Sequence, residues 1–187
     1  MNPIDIIAKF YNKDTKAFRI LVEHGRQVAV KALEAAKQVP GLNPDLGFIE
    51  RAAMLHDIGI FQTAAPELGC HGPHPYICHG VLGRALLEKI GLPDDALVCE
   101  RHVGVGLSAG DIRREGLPLP ERDMLPVSVE EQIICYADKF FSKNGDADGR
   151  EKTVEKITRS LEPYGPDKVQ RFRAWVELFG RAHRTKG

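Results

Sequence analysis

The stretch Ala52-Ala53-Met54-Leu55-His56-Asp57-Ile58-Gly59-Ile60 joins an apolar run to an adjacent histidine–aspartate pair and a glycine. The run predicts a buried helix, and Gly59 reads as the residue just past its end. An ionised carboxylate at the buried end of a core helix is costly unless something cationic faces it. A loop-capping aspartate over a packed histidine satisfies that condition, and so does a metal site. The other histidines decide between them.

Working outward, the chain reads as helices divided by proline and glycine. A short amphipathic helix is expected from Pro3 to Tyr11. A long one runs from Asp14 or Thr15 to about Val39, with Ala17, Leu21, Val28, Ala29, Ala32 and Ala36 at three- and four-residue steps. His24 lies on that apolar stripe. A third helix starts near Pro44-Asp45 and ends at the His-Asp pair. Residues 61–75 read as a loop, Cys78 to Ile90 as a helix closed by Gly91-Leu92-Pro93, and the next helix as capped by Asp94 or Asp95 and reaching His102. Val103 to Val127 reads as a long connection broken by glycine and proline, of a length that is usually functional. Ser128-Val129-Glu130-Glu131 is a capping-box pattern opening a helix with Asp138 on its apolar face. A turn at Asn144 to Gly149 and helices over about 150–161 and 167–183 complete the chain. No strand pattern stands out, so the expected fold is all-α.

At 187 residues the chain has enough length for one domain with its own core. Its formal net charge is zero, which gives no electrostatic case for nucleic acid or an anionic membrane as partner. The apolar runs fall short of a membrane span, and the opening Met1-Asn2-Pro3-Ile4-Asp5 lacks the regions of a signal peptide. Cys70, Cys78, Cys99 and Cys135 are scattered, so reduced thiols and a cytoplasmic location are expected.

His24, His56, Asp57, His79, His102 and Asp138 are polar or ionisable where the pattern calls for core or a helix junction. An aspartate on an apolar face is the least common of these, because buried charges are normally paired or bound to metal. Mixed imidazole and carboxylate donors spread over several helices suit a site inside a bundle, and they favour Fe, Mn, Zn, Co or Ni over Mg or Ca. Cys70, His71, His74, Cys78 and His79 form a second Cys/His cluster that could hold structural zinc, although no Cys-x-x-Cys knuckle is present.

The order His24, His56-Asp57-Ile58-Gly59, then Tyr136-Ala137-Asp138-Lys139 resembles the HD superfamily of metal-dependent phosphohydrolases, over roughly residues 20–145. His79-Gly80-Val81-Leu82-Gly83 and His102-Val103-Gly104 are similar to the second-metal segments of its binuclear members, including the bacterial symmetrical diadenosine tetraphosphate hydrolases. The resemblance implies one HD-domain helical bundle over 1–187, with helices of 150–184 packed on the core and the metal site inside. It implies that His24, His56, Asp57 and Asp138 hold a first metal, and that Asp57 bridges to a second held by His79 and His102. Two divalent transition-metal ions per chain follow, Fe or Mn ahead of Zn, Ni and Co.

The implied reaction is hydrolysis of a phosphoester of a small molecule, a nucleotide in the leading case, by hydroxide bridging the two metals. Asp57, His74 and Lys139 are the candidate catalytic residues, and Gly83 and Lys143 candidates for contact with substrate. Gly83 lies one turn beyond His79, where a missing side chain leaves room for a ligand. Two departures stand out. Ile60 occupies a place where many members carry a lysine that approaches phosphate, and Val103 stands where the cyclic-dinucleotide branch has a second histidine. A catalytically silent or regulatory HD domain binding a nucleotide or a partner protein is the alternative.

Overall fold

Thr15 starts the central helix by accepting a hydrogen bond from the Phe18 amide, and helix α2 (Lys16–Ala36) then buries one continuous stripe. The chain is seen in a computed structural model that describes residues 2–143 and 151–180. Preceding α2 is α1 (Pro3–Ile7), which ends short of the expected Tyr11. Tyr11 instead turns into the core, where its hydroxyl donates to the Ile58 carbonyl at 2.9 Å and accepts from the Phe61 amide at 3.0 Å.

Helix α3 (Leu46–Leu55) begins at Asp45, whose side chain accepts from the Phe48 amide, and ends with His56 as its C-cap. Gly59 is not the residue that stops it. It sits within a 3₁₀ turn, Ile58–Gln62, and a Cβ there would lie 2.2 Å from the His79 carbonyl oxygen. The absent side chain therefore allows two stretches of backbone to meet, rather than supplying a left-handed cap. The segment expected as a loop continues into a two-stranded antiparallel ribbon, β1 (Ala64–Ala65) and β2 (Cys70–His71).

Helices α4 (His79–Lys89) and α5 (Pro93–Arg101) are joined through Gly91, whose φ of +80° suits the turn, and pack on each other. Pro93 takes the first helical position of α5, so Asp94 and Asp95 fall in its first turn instead of capping it. The connection from Val103 is not structureless. It contains α6 (Ala109–Arg114), opened by a full capping box between Ser108 and Asp111.

Helix α7 (Val129–Asp138) packs against α2 and α3. Ser128 caps it, but the Glu131 carboxylate turns away to accept from the Val127 amide at 2.6 Å and from Arg101. The expected turn at Asn144 to Gly149 lies outside the described residues, and after it come α8 (Val154–Leu161) and α9 (Pro166–Phe179). The first starts later than the expected Arg150, because Thr153 caps it by accepting from the Lys156 amide, and α9 stops at Phe179 with Gly180 as its C-cap, short of the expected His183. Phe172 and Phe179 of α9 pack on Tyr136 of α7, with ring centroids 6.0 and 5.6 Å apart. Each such ring removed from water is worth roughly 1.5–3 kcal/mol, which holds α9 to the core. The fold is all-α apart from the small ribbon, and no described helix is long and apolar enough to cross a membrane.

Candidate metal centre

The six expected polar residues converge where helix ends meet. His56 caps α3, Asp57 follows it, His79 is the first residue of α4, His102 caps α5, and Asp138 is the last residue of α7. His24 alone comes from the middle of a helix. All six are buried, none more than 6% exposed. Their donor atoms form two groups, His24–His56–Asp57–Asp138 and Asp57–His79–His102, each with atoms within 4.8 Å of one another. Asp57 belongs to both.

Its two oxygens divide the work. Oδ2 faces His56 Nε2 at 3.0 Å and His24 Nε2 at 3.3 Å, while Oδ1 faces His102 Nε2 at 3.4 Å and His79 Nε2 at 3.5 Å. Asp138 Oδ1 closes the first group, 2.9 Å from His24 Nε2 and 3.4 Å from His56 Nε2.

Protonation decides what these contacts are. The Nδ1 atoms of His56, His79 and His102 lie 2.7, 2.7 and 2.8 Å from the carbonyls of Ala53, Tyr76 and Cys99, and must carry hydrogen to bond them. The inward Nε2 atoms of neutral rings are then lone pairs. Burial holds His79 down to about 3 against the pull of Asp57, with the Lys143 ammonium adding to the depression, and burial also lowers His102. Both rings are thus neutral at pH 7, yet their Nε2 atoms stand 3.2 Å apart with Asp57 Oδ1 beside them. Three acceptors facing one another repel unless a cation lies among them.

In the first group a proton on His56 stands where a cation would. Burial alone would lower His56, but the carboxylates of Asp57 and Asp138 outweigh it and lift the imidazole to about 9. Burial would likewise raise Asp57, yet His56 and Lys143 hold it well below the usual carboxylate range. His24 is lowered to about 4, mainly by burial. Four buried atoms, His24 Nδ1, His56 Nε2 and both oxygens of Asp57, have no directed hydrogen bond. Lys143 Nζ lies 2.8 Å from Asp57 Oδ2, an ion pair by distance but not an aligned hydrogen bond. Buried polar atoms left without directed partners, in an imidazole and carboxylate set that releases its proton on binding, fit a divalent transition metal.

The centre borders a pocket of about 540 Å³ lined by Tyr76, Gly104, Asp138, Lys139, Lys143, Lys152 and Tyr164, among others. Lys139 Nζ pairs with Asp138 Oδ2 at 2.9 Å. Lys152 was not anticipated from the sequence. Nothing in its spacing marks it, and it reaches the pocket because its backbone and side chain bond the carbonyls of Phe140 and Phe141. Burial lowers its pKa, and the nearby Lys139 and Lys143 lower it further. Gly104 on the wall makes the long connection part of the pocket.

Other expected positions fall elsewhere. Gly83 leaves no room for a ligand: a Cβ there would meet Cys99 Cβ at 3.2 Å and the Gly59 amide at 3.3 Å, so its smallness serves helix packing. His74 is exposed and is held through its backbone to Gln62 and Ala64, which does not direct its ring to the centre. Among the described residues the converging donor groups include His79 but not Cys70, His71, His74 or Cys78, so the Cys/His cluster is not assembled as a zinc site. All four cysteines are free and buried.

The model of the HD domain family matches residues 21–142. An uncharacterized protein of Methanocaldococcus jannaschii is 34% identical over 141 residues, covering 73% of this chain and 76% of that protein. A tRNA (cytidine(56)-2'-O)-methyltransferase of Thermoplasma volcanium is 29% identical over 74% of this chain, but the match spans only 35% of that longer protein. The HD domain of the L. monocytogenes phosphodiesterase PgpH superposes with a TM-score of 0.50 at 16% identity, covering 88% of this chain and 92% of that one, a likeness of fold.

Proposed function

The chain belongs to the HD-domain family, and we propose that it is a metal-dependent phosphohydrolase acting on a phosphoester of a small molecule, a nucleotide in the leading case. The observation that carries the reading is Asp57 shared between two converging donor groups beside a lysine-lined pocket. His24, His56, Asp57 and Asp138 would hold one cation, and Asp57, His79 and His102 a second. Such ions, when bound, lower the pKa of water and neutralise charge on phosphoryl oxygens.

The protein's own groups do the rest. The carbonyls of Ala53, Tyr76 and Cys99 keep three imidazoles in the tautomer that turns Nε2 inward. Lys139, Lys143 and Lys152 form the anion-binding side of the pocket. The facing Asp57 and Asp138 raise Lys143 despite its burial, so it stays an ammonium and serves as an anion ligand, not as a proton donor to the leaving group. Ile60 is buried in the core and offers no cation. Lys143, which lines the same small void as Ile60, pairs with Asp57 and supplies the positive charge that position 60 lacks.

Release of phosphate or a nucleotide product from a panel of phosphate esters, with Mn or Fe added, tests the reading. Bound metal with no release above a chelated blank would instead favour a binding or regulatory HD domain.

A further inference from the structure

The pocket beside Asp138 does not end at Gly104. Gly104, Leu161 and Tyr164 also line a second cavity of about 360 Å³, walled further by Val105, Leu107 and Leu117. A Cβ at Gly104 would meet nothing within 4 Å, so no side chain crowds the wall that the two spaces share. The inner wall is fixed in place: Gly104 and Gly106 at φ of +65° and +88° turn the chain, and Arg171 Nη1 donates to the Val105 carbonyl at 2.9 Å. This is a formed cavity of the size that takes part of a small ligand.

The charges around it are already committed. Lys168 pairs with Asp111 and lies 2.9 Å from Asp167, while Arg114 joins Asp111 at 2.8 Å and Glu115 at 2.9 Å. No cation here is left for a second anionic group among the described residues, and an unpaired buried anion is costly. The three lysines lie in the neighbouring pocket, at the metal-binding side. Tyr164, 64% exposed, stands at the junction of the two spaces with a ring face open to stacking.

Resting on the phosphohydrolase reading, we infer that the cavity receives the neutral, planar ring portion of the substrate while the phosphate lies among Lys139, Lys143 and Lys152. The preferred substrates are then phosphate esters with one neutral ring system. Esters that carry a second phosphate on the ring-bearing portion, such as nucleoside 3',5'-bisphosphates, fit poorly.

Binding of 1-naphthol to the metal-loaded protein, by calorimetric titration, tests the cavity without turnover. Leu117→Trp fills the cavity, and Tyr164→Ala removes an exposed ring that folding does not require. Affinity should fall at least about tenfold in the first and several-fold in the second, the scale of losing one buried ring contact. The KM for 1-naphthyl phosphate should rise in parallel. Naphthol that fails to bind, or that binds Tyr164→Ala as tightly as wild type, overturns the inference. Naphthol binding as expected with no ester hydrolysed leaves the cavity assignment standing and refutes the hydrolase reading. Hydrolysis of both 1-naphthyl phosphate and glycerol 2-phosphate without naphthol binding does the reverse.

Discussion

Gly59→Ala is the substitution whose cost the structure defines best. The new Cβ would lie 2.2 Å from the His79 carbonyl oxygen, 2.4 Å from the Gly83 amide nitrogen and 3.0 Å from Gly83 Cα. All three obstacles are backbone, so no side chain can swing aside. Relieving the overlap requires the 3₁₀ turn and α4 to part by roughly 1 Å, since ordinary contacts begin near 3.5 Å. Overpacking of this kind costs about 1–3 kcal/mol, and rigid obstacles place it at the upper end. At about 2–4 °C per kcal/mol for a chain of this size, Tm should fall by roughly 6–12 °C. The same displacement acts on the metal centre, because Asp57 sits on one side of the seam and His79 on the other, 3.5 Å apart. Calorimetry in chelator isolates the packing cost, and elemental analysis without chelator reads the centre, where the Asp57–His79–His102 position should lose metal first. Gly41→Ala is the control, as a Cβ there meets nothing within 4 Å. A Gly59→Ala protein melting within about 2 °C of wild type with its full metal content would refute the argument.

Asp57→Ala should lower metal occupancy at both positions and abolish turnover, whereas His102→Ala should keep about one metal per chain and lose most activity; equal loss in elemental analysis of the two would argue for a mononuclear site. Lys143→Ala should retain metal and raise KM by about tenfold or more, the worth of a charge-assisted contact, and an unchanged KM would move the anion site elsewhere. The metal-stripped protein should lose stability on acidification. His24 and His79 are depressed to about 4 and 3, below the ordinary 6.5, so the unfolded chain takes up protons that the folded chain refuses as pH falls from about 6.5. His56, raised to about 9, acts oppositely, and its contribution is lost as pH rises from 6.5 through 9. Urea midpoints in chelator should therefore peak near neutrality and fall by a few kcal/mol equivalents toward pH 5; a flat profile between pH 5 and 7 would mean that these imidazoles are not buried as neutral groups.

The helices that hold the centre were legible because their apolar periodicity and their breaks agree. Leu21, His24 and Val28 share a stripe, and Ile134, Asp138 and Phe141 share another, so the odd polar residues stood out before any contact was known. Helix α6 was hidden by its brevity, although Ser108-x-x-Asp111 carries the information once the aspartate is read as the reciprocal partner. Gly83 was misread because a missing side chain in sequence does not say whether ligand or backbone fills the space. Lys152 and Tyr164 had no local signature at all. A lysine and a tyrosine near proline are ordinary surface residues until the C-terminal helices fold against α7 and bring them to the pocket.

The placement of the donors at helix ends has a physical reason that also accounts for two of the free thiols. A helix that stops leaves its last carbonyls without intrahelical partners. His56 and His102 each donate from Nδ1 to the carbonyl three residues earlier, and His79 does the same to Tyr76 in the turn before α4. At His56 and His102 one bond thus satisfies an orphan acceptor and fixes the tautomer that aims Nε2 inward, while the Tyr76 carbonyl also accepts from the His79 amide, so that there the bond fixes the tautomer alone. His24, in a helix interior where the preceding carbonyls are already bonded, has no such partner, and its Nδ1 is left unpaired. The next orphan carbonyls at the same ends are those of Leu55 and His102, and they accept from the thiols of Cys99 and Cys135, each at 3.4 Å. Burial pushes Cys99 well up and Cys135 to about 12, so both remain S–H donors at neutral pH and do not compete as thiolate ligands. Moving His56 or His102 one turn into its helix would remove both the acceptor and the tautomer lock, which is why these two ligands sit at breaks in the helical pattern.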